Sequence, residues 1–112
     1  MSSNYKVLFW SNSNGEKPVA RWVKSLRKED QIYLADIFRD LAADGPFSRP
    51  KVFKHLEGDL WEIKDKRSPG PGFRIYFGFD GANIICLVVH AGSKKSQERD
   101  IALAKKRLKN EV

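Results

Sequence analysis

The sequence predicts a single α+β domain with the element order β-α-α-β-β-β-α. A helical hairpin packs on a mainly antiparallel sheet, and a C-terminal helix ends the chain. Two apolar stripes at helical spacing follow each other closely between residues 19 and 41, which indicates the hairpin. Two later segments alternate apolar and polar residues, which indicates half-buried strands. With 112 residues, the chain suits one domain, residues 1–112, with its own apolar core.

The N-terminal half contains one predicted strand and the two predicted helices. Residues 5–10 are rich in β-branched and aromatic side chains, as strands are. The first helix begins near Pro18, which suits a first helical turn. Its apolar stripe consists of Val19, Trp22, Val23 and Leu26. The second stripe consists of Leu34, Ile37, Phe38 and Leu41. Gly45 and Pro46 end this helix, and both stripes are interpreted as core.

The C-terminal half contains a predicted antiparallel meander and the last helix. Residues 60–66 and 73–79 alternate in polarity, and a Pro/Gly-rich loop separates them. The Asp80-Gly81 pair predicts a tight hairpin to a strand at residues 83–89, which is apolar enough to be buried on both faces. An additional short strand is expected around Phe53, and the final helix begins near Ser96.

The charge distribution points to a polyanionic partner. The chain has 21 Lys and Arg against 14 Asp and Glu, and the excess lies after Gly45. For a basic domain of this kind, nucleic acid is the first expectation, and solubility alone is the alternative. With two His and one Cys, the sequence has no metal-ligand spacing, so no metal or other cofactor is expected. The N-terminal segment has no secretion signal and no apolar run is long enough to span a bilayer, so we expect a cytoplasmic protein without membrane contact.

Two clusters are candidates for binding a nucleic acid. Lys64 and Lys66 share one face of a strand, and Arg74 and Tyr76 share the same face of the next strand. A cationic sheet face with one aromatic ring can bind phosphates and stack a base, although a solvated outer face is the alternative. The second cluster is Lys94-Lys95 beside the start of the last helix, where exposed N–H groups attract anions. An ordinary basic loop is the alternative there.

Three spaced segments resemble the RelE/ParE superfamily of type II toxins, in its HigB-like, phage-Gp49-like branch. They are residues 60–64, residues 72–77, and residues 93–101 with Ala104-Lys105. The resemblance implies a RelE-like fold, a cognate antitoxin that forms a hetero-oligomer with the toxin, and binding to mRNA and the ribosome. It implies a ribosome-dependent mRNA endoribonuclease that uses no metal. In that reaction the ribose 2′-hydroxyl attacks the adjacent phosphorus and leaves a 2′,3′-cyclic phosphate and a 5′-hydroxyl.

The resemblance also suggests individual roles by position. Arg74 is expected at the scissile phosphate, and Lys64 or Lys94 is expected to transfer the proton. Flanking phosphates or ribosomal RNA are expected to contact Lys54, Lys66, Arg67 and Lys95. The resemblance also implies an aromatic residue near the C-terminus that stacks the base, but no aromatic residue follows Phe79 in this chain. Tyr76 is therefore the expected residue for base stacking. Two alternatives share this fold: a ParE-like inhibitor of DNA gyrase, and a catalytically silent phage protein that only binds its antitoxin.

Overall fold

The computed structural model describes residues 5–80 and 85–111. Its elements are β1 (Lys6–Phe9), α1 (Pro18–Ser25), α2 (Lys28–Asp44), β2 (Phe53–Glu57), β3 (Leu60–Lys64), β4 (Phe73–Asp80), β5 (Ile85–Ser93) and α3 (Gln97–Glu111). One turn of 3-10 helix, Lys94–Ser96, joins β5 to α3. The predicted α+β class and element order are confirmed, and the additional short strand at Phe53 is β2.

The strands form one five-stranded sheet in the order β1-β5-β4-β3-β2. The four strands from β2 to β5 pair antiparallel with their neighbours, whereas β1 pairs parallel with β5. The predicted meander is therefore the centre of a larger sheet. Residues 81–84, which include the glycine of the predicted Asp80-Gly81 hairpin, lie outside the described residues.

The helical hairpin covers one face of the sheet, as predicted. Leu34, Ile37 and Leu41 of α2 are buried in one cluster with the inward-facing residues of β3 and β4. Those strand residues are Trp61, Ile63, Phe73, Ile75 and Phe77. The alternation read from the sequence therefore corresponds to the face that the hairpin buries.

The C-terminal helix covers the opposite face, which the alternating pattern had predicted to be open to solvent. Ala104 of α3 is buried against Leu60 and Tyr76, and Ile101 and Leu108 pack around them. Because Gly78 has no side chain, the Leu108 side chain can lie directly over β4, where an added Cβ would overlap it. The thin apolar stripe of α3 can be buried only on this face, since the hairpin already occupies the other. The expectation of an open cationic sheet face is therefore wrong over most of its area.

Gly45 ends α2 as predicted. Its φ of 82° lies in the left-handed region, and its N–H donates to the carbonyl of Leu41. None of the helices among the described residues is long and apolar enough to cross a membrane.

Candidate nucleic-acid interface

The strand register brings the candidate cations to one end of the sheet. Lys64 on β3 lies directly opposite Arg74 on β4, and Arg74 lies opposite Gly92 on β5. Two residues along β3 from Lys64, Glu62 lies opposite Lys54 on β2. Lys64, Arg74 and the end of β5 therefore form a single row across the sheet, and this row leads into the 3-10 turn that carries Lys94 and Lys95.

Three lysines form the accessible part of this end, and we call them the lysine cluster. Lys54 and Lys66 are exposed, and Lys64 is half-buried between them. The positive charges of Lys66 and Arg74, then partial desolvation and the charge of Lys54, lower the pKa of Lys64 from its ordinary value. The Glu62 carboxylate opposes this shift. Crowding of like charges therefore favours the neutral form of Lys64 more than in an isolated lysine.

Arg74 lies beneath this surface rather than on it. The residue is 8% exposed, and its Nη1 donates a hydrogen bond of 2.8 Å to Oε1 of Glu62, itself 1% exposed. Oε2 of Glu62 accepts a 2.8 Å hydrogen bond from Nε2 of Gln97 in the first turn of α3. The expected exposed position of Arg74 is therefore wrong: its charge lies beside Lys64, but Glu62 and α3 shield it from solvent.

Tyr76 is also placed differently from the expectation. Its ring is fully buried (0% exposed) in the cluster with Leu60 and Ala104, beneath α3. Burial, followed by the charges of Glu62 and Asp100, raises the pKa of its hydroxyl. The expectation that this ring is available to stack a base is wrong, because α3 occupies the space that a base would need.

Arg67 has a structural environment. Its Nε and Nη2 donate to the two oxygens of Asp65 at 3.0 and 3.1 Å, and its Nη1 donates to Asp30 on α2 at 2.5 Å. The guanidinium also lies over the ring of Tyr33, 4.0 Å from its centroid. The expected contact of Arg67 with flanking phosphates stays a prediction, and two carboxylates already bind three of its donors.

The carboxylate of Asp65 holds the Pro/Gly-rich loop in place through hydrogen bonds to its backbone. It accepts hydrogen bonds from the backbone N–H groups of Arg67 and Gly72, at 3.0 and 3.2 Å. Burial opposes ionisation of Asp65, but the hydrogen bonds and charge of Arg67, with the Gly72 bond, lower its pKa below the ordinary value. The backbone N–H of Lys66 bonds the Tyr33 hydroxyl at 3.2 Å. Lys66 thus extends into solvent from a fixed backbone.

The start of α3 closes the other side of the site. Lys95 is exposed, whereas the side chain of Lys94 lies outside the described residues. Ser96 donates to the carboxylate of Asp100, and this carboxylate packs against the backbone of Gly92 so closely that an added Cβ there would overlap it. The first turn of α3 is therefore held against the end of β5, next to Arg74.

Three polar residues that the sequence did not single out organise this region. Glu62, Gln97 and Asp100 connect β3, β4 and the first turn of α3 through their hydrogen bonds. A signal for Glu62 was present, because it alternates with Lys64 on a strand adjacent to Arg74. Gln97 and Asp100 carried no comparable signal, since only the tertiary position of α3 brings them to the sheet.

Metal-ligating side chains do not come together in the described part of the chain. Among those residues, no group of three His, Cys, Asp or Glu side chains could hold a metal ion. The ring of His55 shares a 2.7 Å hydrogen bond with the carbonyl of Gly58 and lies 5.1 Å from the Trp61 ring. The side chain of His90 lies outside the described residues.

Residues 21–109 match the family model described as "Phage derived protein Gp49-like (DUF891)". No curated protein matches the chain. Among solved structures, the fold is similar to the Escherichia coli toxin RelE, a double arginine-to-alanine mutant in the free state, with a TM-score of 0.61 at 12% identity and 100% coverage of both chains.

It is also similar to the archaeal RelE–RelB complex from Pyrococcus horikoshii OT3, with a TM-score of 0.53 at 20% identity. That match covers 81% of this chain and 96% of the other. At these identities the likeness shows the fold, which is RelE-like. The resemblance inferred from the sequence is confirmed for the Gp49-like branch and for the fold.

Proposed function

The chain belongs to the phage-derived Gp49-like protein family, and from this premise and its RelE-like fold we propose that it is the toxin of a type II toxin–antitoxin module. We further propose that it is an endoribonuclease that cuts mRNA on the ribosome. The observation that carries the nuclease proposal is the lysine cluster, in which neighbouring cations lower the pKa of Lys64. A lysine with a lowered pKa loses its proton more readily and is the better candidate for a general base, while the surrounding charges attract a phosphate.

In the proposed reaction, neutral Lys64 accepts the proton of the ribose 2′-hydroxyl. The 2′ oxygen forms a bond to the adjacent phosphorus, and the bond from phosphorus to the 5′ oxygen breaks. The products are a 2′,3′-cyclic phosphate and a 5′-hydroxyl, the latter after the leaving oxygen takes up a proton. Lys54 and Lys66 are exposed and would bind phosphate oxygens on either side, and a role for Lys94 or Lys95 in this step stays a prediction.

The role proposed for Arg74 is electrostatic rather than direct. Its hydrogen bond to Glu62 leaves it no exposed fork with which to grip a phosphate. Its charge nevertheless contributes to the lowered pKa of Lys64, second only to that of Lys66. We therefore propose that Arg74 lowers the pKa of Lys64, and that the exposed lysines, rather than Arg74, contact the phosphate.

The proposed partner is an antitoxin that covers the lysine cluster with an acidic segment. One solved structure of similar fold is a complex of RelE with RelB, and this supports a protein partner. An acidic segment would neutralise the exposed lysines and exclude RNA. A complex formed in this way weakens as salt rises, because exposed charges are screened. If pull-down of the partner is unaffected by high salt, the contact is mainly apolar and this part of the proposal fails.

The decisive experiment expresses the chain and its Lys64→Gln variant under an inducible promoter. We expect the wild type to stop translation and to leave internal cuts in translated messages, mapped by primer extension. Loss of a general base reduces such a rate by about 100-fold or more, so Lys64→Gln should neither arrest growth nor cut message. The matched control is Lys24→Gln, which removes an exposed cation from α1 and should behave as the wild type.

Other outcomes identify the alternatives. Growth arrest with intact transcripts and double-strand DNA breaks would overturn the nuclease proposal in favour of gyrase inhibition. No growth defect from a folded wild-type chain would overturn it in favour of a silent antitoxin-binding protein. Cutting by Lys64→Gln at the wild-type rate would remove Lys64 from the proposed mechanism.

A further inference from the structure

The outer surface of α3 carries a row of cations that the proposed reaction does not use. Arg99, Lys106 and Lys109 are exposed, and their spacing of seven and three residues places them on one face of the helix. We call these three residues the α3 basic stripe. Exposed Ala102 lies between them on the same face. At 1.5 Å per residue, the stripe is about 15 Å long.

The stripe lacks the charge pairing found elsewhere on the molecule. Within the part of the chain that the structure describes, none of its three cations has a carboxylate partner within ion-pair distance. On the hairpin side, by contrast, arginines are paired with acids. These pairs are Arg21–Glu16, Arg27–Glu29, Arg39–Asp36 and Arg49–Asp40. Even the neighbouring Lys105 of α3 is paired, with Glu57 of β2. Positive charge is therefore left unbalanced on one face.

The composition of the stripe restricts what could bind there. Its three members are all cations, and exposed Ala102 lies between them, so the stripe offers no ring for stacking a base. Ile101, Ala104 and Leu108 of α3 pack into the core, so this apolar side of the helix is not available to a membrane interface. A straight row of unpaired cations on a rigid helix fits a regular array of phosphates.

We propose that the α3 basic stripe binds the sugar–phosphate backbone of double-stranded RNA, independently of base sequence. A duplex presents its phosphates in a stiff, regular array, and a rigid row of cations about 15 Å long can match that array. A flexible single strand would first have to be ordered along the row. The exposed Lys95 lies in the 3-10 turn that joins β5 to α3 and adds a further cation just before the helix that carries the stripe. The choice of RNA over DNA rests on the proposed function, but the binding of a duplex backbone does not.

The test measures fluorescence anisotropy of a labelled RNA duplex of about 20 base pairs between about 50 and 200 mM salt. The wild type is compared with the triple variant R99Q/K106Q/K109Q, in which glutamine preserves helix propensity. Loss of three phosphate contacts should reduce the slope of log affinity against log salt by about 3. The affinity at about 100 mM salt should fall at least about tenfold.

The matched control is K17Q/K24Q/K28Q, which removes the same charge from exposed positions on the hairpin side. We expect its slope to stay within about 1 of the wild-type value, because net charge alone does not position phosphates. Circular dichroism should show that both triple variants are folded. An unchanged slope in the α3 variant, or equal losses in the two variants, would overturn the proposal.

Three further measurements distinguish a duplex RNA from a single strand, an acidic protein and a DNA duplex as the ligand of the stripe. Tighter binding of a single strand of the same length, or of poly-glutamate, than of the RNA duplex would overturn the proposal, the latter in favour of an acidic protein partner. Tighter binding of a DNA duplex would overturn the choice of RNA.

The Lys64→Gln protein keeps this inference separate from the proposed function. It should bind the duplex with a slope within about 1 of the wild type. If the wild type does not cleave message but the α3 variant lowers the salt slope as expected, only the proposed function is contradicted. If the wild type cleaves message but the α3 variant has an unchanged salt slope, only this inference is contradicted.

Discussion

The guanidinium of Arg74 and the carboxylate of Glu62 form a buried ion pair, with 2.8 Å between Nη1 and Oε1, and side chains that are 10% and 1% exposed. Gln97 completes the arrangement by bonding the second oxygen of Glu62. The pair joins two adjacent strands to the first turn of α3. It therefore fixes both the charge next to Lys64 and the position of the helix that covers the sheet.

Removing one member of this pair should destabilise the protein. In Glu62→Ala the buried guanidinium loses its partner, and in Arg74→Ala the buried carboxylate does. Each single variant should lower the free energy of unfolding by about 3–5 kcal/mol. Chemical denaturation followed by circular dichroism measures this change.

The double variant Glu62→Leu/Arg74→Met is the control for that prediction. It leaves no uncompensated charge, so it should recover much of the stability lost in either single variant. Single variants that lose less than about 1 kcal/mol would contradict a buried ion pair. If Arg74→Ala no longer arrests growth, its free energy of unfolding must be measured first, because unfolding alone would abolish the arrest.

The burial of Tyr76 leads to opposite expectations for two substitutions. Tyr76→Phe keeps the ring in the core and should leave RNA affinity unchanged. Tyr76→Ala removes the ring beneath α3 and should cost about 3–5 kcal/mol of stability. Thermal denaturation and RNA binding measured on both variants check this. Because phenylalanine would stack on a base as tyrosine does, a tenfold loss of RNA affinity in a stably folded Tyr76→Leu protein would instead return this residue to the binding surface.

Lys66→Gln should shift the pH dependence of the proposed activity to higher pH. The charge of Lys66 is the largest cause of the lowered pKa of Lys64, so its removal raises that pKa toward the ordinary value of 10.5. Because the base acts in its neutral form, less of it is available at neutral pH and the rising limb of the rate profile moves upward. Single-turnover cleavage of a bound message across pH measures the shift.

Lys24→Gln serves again as the matched control for that profile, because it removes a distant exposed lysine and should leave the rising limb in place. A downward shift in Lys66→Gln would contradict the assignment of Lys64 as the base. An unchanged limb with weaker substrate binding would show that Lys66 only contacts phosphate.

Asp65 should contribute stability that is lost in acid. Its folded pKa lies below the ordinary value of 3.8, so the stabilisation is present above that pH and disappears as the pH falls through the folded value. Asp65→Asn should therefore be less stable by about 2 kcal/mol at neutral pH, because the hydrogen bonds to a charged acceptor are lost. The difference in stability between the two proteins should shrink as the pH falls below 3.8 and vanish below the folded pKa. Denaturant titrations at several pH values test this, and a difference that stays constant from neutral pH through the acid range would contradict it.

Gly78 and Leu108 should show strong energetic coupling. An alanine at position 78 would overlap the Leu108 side chain, so Gly78→Ala should cost about 1–3 kcal/mol. Leu108→Ala removes the obstacle, and the two changes together should cost less than the sum of the single changes. A double-mutant cycle by denaturation measures the coupling, and simple additivity would show that α3 does not rest on β4 at this point.

The fold was largely predictable because its signals are local. The spacing of Leu34, Ile37 and Leu41 is a property of one helix, and the alternation in Phe73, Ile75 and Phe77 is a property of one strand. Such patterns record which face is buried, whatever buries it. The element order and the hairpin side of the core followed from them and are confirmed.

The accessibility of the site was less predictable because it depends on packing between distant elements. Arg74 and Tyr76 alternate with apolar residues and so resemble an exposed strand face. They are buried because α3, some twenty residues further along the chain, returns to cover that face. Likewise, Arg67 pairs with Asp65, two residues before it, but its second partner Asp30 is brought to it only by the fold. Spacing predicted which side chains share an end of the sheet, but it carried no signal for which of them reach solvent.

The parallel pairing of β1 with β5 has a consequence for the synthesis of the protein on the ribosome. Val7 has its sheet partner at Cys86, and the helix that completes the second core follows β5. β1 therefore cannot take its place in the sheet until β5 has been synthesised, and such sequence-distant contacts form slowly. During synthesis the edge of β1 stays unpaired for that interval, so the sheet closes late and β1 is the strand most exposed to wrong pairing.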